Sequence, residues 1–118
     1  MGEERRRTVR YPFDAPAEVT DEQSSGTLSM RISVLSLNGC YLLTESPFPQ
    51  GTDLFLKVFA DGAFFEARAM VAYSHPKQGM GVAFRETKPY FVSILKKWLL
   101  SAMRIRNREL DRALLPSG

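Results

Sequence analysis

Four arginines stand close together near the start of the 118-residue chain, in the segment EERRRTVRYPF. Arginine carries a planar fork of N–H donors that matches phosphate oxygens or the O6 and N7 edge of guanine, and its guanidinium can also stack on a base. Besides Arg5 and Arg7, the segment holds Arg6 and Arg10, which an extended chain places on one side, about 13 Å apart. The arm could therefore hold a small ligand with several negative charges, although a disordered basic tail would have the same composition.

A second candidate lies in the segment VLSLNGCYL, where Ser36 ends a predicted strand and Gly39 follows three residues later. A serine hydroxyl and an open backbone at a glycine turn can approach the edge of a base closely. Asn38 and Gly39 form the dipeptide typical of a tight turn with positive φ. Because serine before Asn-Gly is also ordinary turn chemistry, this segment alone does not indicate a binding site.

The residue types that catalysis needs are sparse. His75 is the only histidine and lies in a predicted turn, and Cys40 opens an apolar strand, where a packed thiol is expected. One histidine and one cysteine cannot supply a set of soft metal ligands. The segment GMG at 79–81 lacks the third glycine and the following helix of a phosphate-binding loop. The sequence therefore predicts neither an enzyme, nor a metal site, nor a bound cofactor.

Composition and charge are those of a soluble protein with basic ends. The formal net charge is +3, with 44% hydrophobic and 25% charged residues, which is ordinary for one globular domain. Arginine and lysine concentrate at the two ends, so an anionic partner is expected. No apolar run is long enough to span a membrane and the start does not resemble a secretory signal. A single cysteine fits a reducing compartment, so we expect a cytoplasmic protein without a membrane partner.

Alternation of apolar and polar residues predicts short strands over most of the chain, and two-residue turn signals such as Asp61-Gly62 separate them. In the second strand the alternation places Met30, Ile32 and Val34 on one side, and Ser33 and Leu35 on the other. After Pro89 the pattern becomes helical, with one apolar stripe that contains Leu95, Trp98 and Ala102. We predict a mainly β fold, in which six antiparallel strands form a small barrel or a curled sheet and a long C-terminal helix follows them. The expected division is a flexible arm at 1–13, the barrel at 14–86 and the helix at 88–115. The predicted strands are 15–20, 27–37, 40–45, 54–60, 63–74 and 80–84.

Taken together, the two candidate segments resemble the PilZ family, in which an R-x-x-x-R arm precedes a [D/N]-x-S-x-x-G strand-turn. Arg6 to Arg10 match the first motif and the segment VLSLNG from Val34 to Gly39 matches the second, while GMGVAF resembles the family's closing strand. The resemblance covers about residues 5–100 and implies a single barrel domain from a bacterial protein. It also implies that the ligand is cyclic di-GMP, the bacterial second messenger.

By that resemblance Arg6 and Arg10, flanked by Arg5, would contact guanine and phosphate, and Ser36 and Gly39 would line the opposite wall. The arm would fold over the barrel on binding, and a partner protein would read the change. The family's acidic or amide position falls on Val34, whose side chain cannot accept hydrogen bonds from guanine. Losing one such contact costs on the order of 1–3 kcal/mol, which weakens binding without forbidding it.

Two alternatives stay open. The first is a PilZ-like interaction module that does not bind cyclic di-GMP, with a homo-oligomer formed through a second apolar seam of the helix at near-heptad spacing. The second is a nucleic-acid binder that uses both basic ends, which is compatible with a small barrel. Against it, the strands show no clear pattern of exposed aromatic residues on which bases could stack. The aromatic residues of the strands are predicted to lie mainly in the core; they are Tyr41, Phe55, Phe59, Phe64 and Phe65.

Overall fold

Six antiparallel strands form a closed barrel in the computed structural model, in the order β1-β2-β3-β6-β5-β4, and one helix follows them. The structure describes residues 8–24 and 26–114. The elements are β1 Tyr11–Asp21, β2 Thr27–Leu35, β3 Gly39–Leu43, β4 Asp53–Ala60, β5 Ala63–His75, β6 Gly79–Glu86 and α1 Pro89–Leu114. The fold predicted from the sequence is confirmed. The first strand begins at Tyr11, so residues 11–13 lie in β1 and not in the arm.

The alternation in the sequence decides which side chains fill the barrel. In β1, Ala15, Ala17 and Val19 are buried while the residues between them are exposed. The β4–β5 hairpin closes through Asp61 and Gly62, whose φ angles of 54° and 73° are those of the type I′ turn that Asp-Gly favours. The inward-facing side chains of the strands form one continuous apolar core, which Leu95 and Trp98 of the helix complete.

A register shift in β2 changes the predicted sides of two residues. Ile32 pairs with Leu42 and Val34 pairs with Tyr41, so Ser33 is an extra residue in the strand. Such a bulge reverses the alternation. Leu35 is therefore fully buried, and Val34 shares the outer face of the sheet with Tyr41, although simple alternation had placed Val34 with Met30 and Ile32.

The first half of α1 packs against the barrel and the second half extends beyond it. Leu95, Trp98 and Ala102 are buried as predicted, and the Trp98 ring stacks on Phe13 with centroids 5.6 Å apart. From Arg104 onward every side chain that the structure describes is exposed. The molecule is accordingly elongated, at 57 × 31 × 31 Å. Within residues 8–24 and 26–114, no helix is long and apolar enough to cross a membrane.

The prediction that the strand aromatics are mainly core was wrong for two of them. Phe65 is fully buried, but Phe55 and Phe64 are 38% and 40% exposed. Phe59 and Tyr41 are half-buried. Because Phe64 and Phe65 are adjacent in β5, only one of them can face the interior.

Candidate functional site

A groove of about 510 Å³ runs over the outer face of the barrel, and both candidate segments of the sequence border it. Its size lies within the range of small-ligand sites. Arg10 comes from the end of the arm, while Ser36 and Gly39 come from the β2–β3 turn, and Val34 lies between them on β2. The lining residues are Thr8, Arg10, Tyr11, Pro12, Val34, Ser36, Asn38, Gly39, Cys40, Tyr41, Ala72, Tyr73, Gly81, Val82 and Ala83.

One row of directly paired residues crosses five strands on the floor of the groove. Pro12 pairs with Val34, Val34 with Tyr41, Tyr41 with Gly81, and Gly81 with Tyr73. Paired residues in neighbouring strands point to the same face of a sheet. The register thus places the Val34 side chain on the groove floor next to an aromatic ring, without a polar atom to read a base edge.

The β2–β3 turn is held together by the Ser36 hydroxyl. Ser36 Oγ accepts hydrogen bonds from the backbone N–H groups of Asn38 and Gly39, at 3.2 and 3.1 Å, and donates to the Gly39 carbonyl at 3.2 Å. The Ser36 N–H donates to the same carbonyl at 2.9 Å. With only 6% of Ser36 exposed, these bonds are shielded from water, and the turn forms a rigid wall.

Gly39 is needed for space and not for a positive φ, so the predicted turn conformation was wrong. Neither Asn38 nor Gly39 has a positive φ. A Cβ atom on Gly39 would lie 2.1 Å from the Val82 carbonyl oxygen, a backbone atom that the β3–β6 ladder holds in place. Its own N–H and carbonyl already bond to Ser36, so its backbone is not the open surface that the sequence suggested.

The arm meets the turn through one side-chain contact. Asn38 Nδ2 donates a hydrogen bond to Thr8 Oγ1 at 2.9 Å, in an exposed position. This bond holds the start of the described chain beside the turn, with Arg10 exposed at the groove two residues further on. Arg5 and Arg6, the other predicted site residues of the arm, lie outside the described residues.

Three rings cluster at the end of the groove opposite the arm. Tyr41 Oη and His75 Nδ1 are 2.8 Å apart, and the Tyr73 ring centroid lies 6.2 Å from that of Tyr41 and 5.1 Å from that of His75. Partial burial, together with the neighbouring Tyr73 hydroxyl, raises the pKa of Tyr41. His75, which the sequence placed in a turn, is the exposed last residue of β5, and its side chain is hydrogen-bonded to Tyr41.

Cys40 follows the turn directly and is buried, and that burial raises the pKa of its thiol to about 12. Cys40 therefore stays protonated and packed, as the sequence predicted.

On the arm side, the Arg106 guanidinium of α1 lies over the Tyr11 ring, 5.3 Å from its centroid. The outer half of the helix thus contacts a residue that lines the groove. Within the described part of the chain, no cluster of His, Cys, Asp and Glu could hold a metal ion.

Residues 4–101 match the PilZ domain family. The chain belongs to the PilZ family. No curated protein sequence matches it.

Solved PilZ structures share its fold. The PilZ domain of YcgR from Escherichia coli, solved with c-di-GMP, has a TM-score of 0.70 at 19% identity, covering 91% of this chain and 98% of that one. The PilZ domain of CeSA from a cellulose-synthesizing bacterium has a TM-score of 0.58 at 14% identity, covering 83% and 98%. MotI (DgrA), the inhibitor of motility of Bacillus subtilis, has a TM-score of 0.68 at 16% identity over 86% of this chain, which spans about half of that protein.

The PilZ motifs led to the two walls of the groove and missed Tyr73 on its floor. Arg10, Val34, Ser36 and Gly39 were found because they belong to those motifs. Tyr73 was missed because its place beside the groove depends on the pairing of β5 with β6, which no local pattern in the sequence reveals.

Proposed function

We propose that this PilZ domain is a receptor for cyclic di-GMP, which binds in the groove between the arm and the β2–β3 turn. The observation that carries the proposal is that Arg10 and the Ser36–Gly39 turn, distant in sequence, border one groove of suitable size. Membership of the PilZ family and the c-di-GMP complex of the similar YcgR PilZ domain support the choice of ligand.

The two walls divide the work. Arg10, with Arg6 and Arg5 from the arm, contacts the phosphates and the O6 and N7 edge of guanine, where arginine forms paired, charge-assisted hydrogen bonds. Ser36 and Gly39 act by keeping the turn in shape and close to the ligand. Val34 lacks the hydrogen-bond acceptor that the family pattern has at this position, so binding is weaker than it would be with Asp or Asn there.

The bound state is signalled through the arm. A dianionic ligand neutralises the arginines and orders the arm over the groove, which changes the surface that a partner protein reads. Tyr11 connects this change to α1, because it lies directly after Arg10 and beneath the Arg106 guanidinium.

Isothermal titration with cyclic di-GMP tests the proposal, with GTP and linear pGpG as competing ligands. We expect selective binding by the parent chain and none by the Arg6→Ala, Arg10→Ala double variant. The matched control is Arg104→Ala with Arg112→Ala, which removes the same charge from exposed helix positions away from the groove. Equal binding by the parent and the arm variant would contradict the assignment of the arginines.

Val34 favours a second candidate function, in which the domain has lost the ligand and acts only through protein contacts. In that case the parent would give neither heat nor a thermal shift with saturating cyclic di-GMP. The Val34→Asp variant would separate the two cases, because restoring the acceptor should tighten existing binding by about fivefold or more. Self-association through α1 remains a separate prediction, which light scattering of the full chain and of a chain cut after Ala102 would test.

A further inference from the structure

The Tyr73 ring lies flat against the barrel because its cross-strand neighbour is glycine. A Cβ atom on Gly81 would lie 2.3 Å from Cζ of Tyr73 and 2.4 Å from its Cε1, so any other residue would displace the ring. Tyr41, which pairs with Gly81 on its other side, extends instead over Gly79, where an added Cβ atom would lie 2.7 Å from its Cε2. The result is an aromatic surface on the groove floor.

This surface is open to the groove. Tyr73 is 40% exposed and lines the groove together with Tyr41, while Val34 continues the same row toward the arm. Ala72 and Ala83 also line the groove, and their short side chains do not block access to the rings. A broad apolar floor of this kind suits the face of a planar group better than its hydrogen-bonding edge.

Nucleic-acid bases, purines included, stack on such aromatic surfaces, because every base has a π face. At Val34 the floor offers no acceptor for the guanine N–H groups, so the face of the base is the part that this floor can bind.

We infer that Tyr73, with Tyr41 beside it, is the surface on which one purine base of the bound cyclic dinucleotide stacks. This inference rests on the proposed function and assigns to the groove a contact that neither PilZ motif contains. Tyr41 is half-buried and hydrogen-bonded to His75, so the more exposed Tyr73 ring makes the main contact.

The rival role of the ring cluster is structural, as an apolar patch that only covers β6. The two roles differ in what Tyr73→Phe and Tyr73→Leu do. Both variants keep an apolar side chain over Gly81, but only phenylalanine keeps a π face.

The experiment measures cyclic di-GMP affinity for the full chain and its variants. Tyr73→Leu should weaken binding by roughly 5- to 150-fold, and Tyr73→Phe should stay within about twofold of the parent. Phe64→Leu is the matched control, since Phe64 is equally exposed on the same strand but does not line the groove. In NMR spectra, the purine H8 signal of the bound ligand should move upfield with the parent and with Tyr73→Phe, because of the ring current of the stacked tyrosine or phenylalanine.

Tyr73→Leu binding as tightly as the parent, with an unchanged H8 shift, would overturn the stacking contact and leave the proposed function standing. Equal losses in Tyr73→Leu and Tyr73→Phe would overturn it as well, because the π face would then not matter. If the parent itself does not bind, the proposed function fails and the inference fails with it.

Discussion

The two sides of the groove differ in how firmly the protein holds them. The β2–β3 turn is bonded internally through the buried Ser36, whereas the described end of the arm, Thr8 to Arg10, meets the turn through one exposed hydrogen bond to Asn38. A preformed wall adds affinity without an ordering cost, while a loosely held wall can change when a ligand arrives. Changes in the turn should therefore affect folding and binding together, and changes in the arm should affect binding alone.

The largest expected effect comes from Gly39→Ala. The added Cβ would meet the Val82 carbonyl oxygen, so β3 and β6 must separate locally. We expect the free energy of unfolding in urea to fall by about 3 kcal/mol. Gly26→Ala is the control, because its Cβ would meet no atom closer than 3.8 Å and should change little. Equal stability of the two variants would mean that the turn is not rigid.

The stability of the protein at alkaline pH tests whether water is excluded from the buried Cys40 thiol next to the turn. The pKa of Cys40 is raised from 9.0 to about 12 by burial, so the neutral thiol stabilises the fold below pH 9 and that stability is lost as the pH rises toward 12. Relative to a Cys40→Ala variant, the free energy of unfolding should fall by about 2 kcal/mol by about pH 10.5. Parallel pH curves for the two proteins would indicate a hydrated thiol.

Ser36→Ala should have an intermediate effect. It leaves the N–H groups of Asn38 and of the buried Gly39 without their acceptor, which should cost about 1–2 kcal/mol in thermal or urea unfolding. Affinity for cyclic di-GMP should fall as the turn loosens. Full stability with lost affinity would instead assign the hydroxyl to the ligand and remove the distinction between the two walls.

The smallest effect is expected on the arm side. Thr8→Val removes the acceptor of the Asn38 bond, and because that bond is exposed the free energy of unfolding should change by about 0.5 kcal/mol or less. The backbone amides near Thr8 should nevertheless exchange hydrogen faster in the ligand-free protein. A stability loss as large as that of Ser36→Ala would show that the arm is part of the folded wall.

The sequence was most informative where structure depends on near neighbours. Alternation in β1 and the helical stripe around Trp98 predicted the buried residues correctly, because period and burial are linked within one element. The prediction failed at Ser33, since a bulge arises from the register with another strand and leaves no mark in the local pattern.

The same limit applies to the groove. The PilZ motifs led to Arg10, Ser36 and Gly39, but the reason for Gly39 was misread, because a close approach by the Val82 carbonyl depends on pairing between distant segments. The Tyr41–Gly81–Tyr73 row likewise depends on two strand pairings at once. Residues brought together by register are therefore the ones that sequence reasoning misses.

Closure of the barrel has a consequence for how any partner can bind. Each of the six strands already has a hydrogen-bonded neighbour on both sides, so among the described residues no strand offers a wholly unpaired edge to which a foreign strand could be added. Recognition must then use side chains on the outer faces, the arm or the projecting part of α1. The same closure protects the protein from edge-to-edge aggregation.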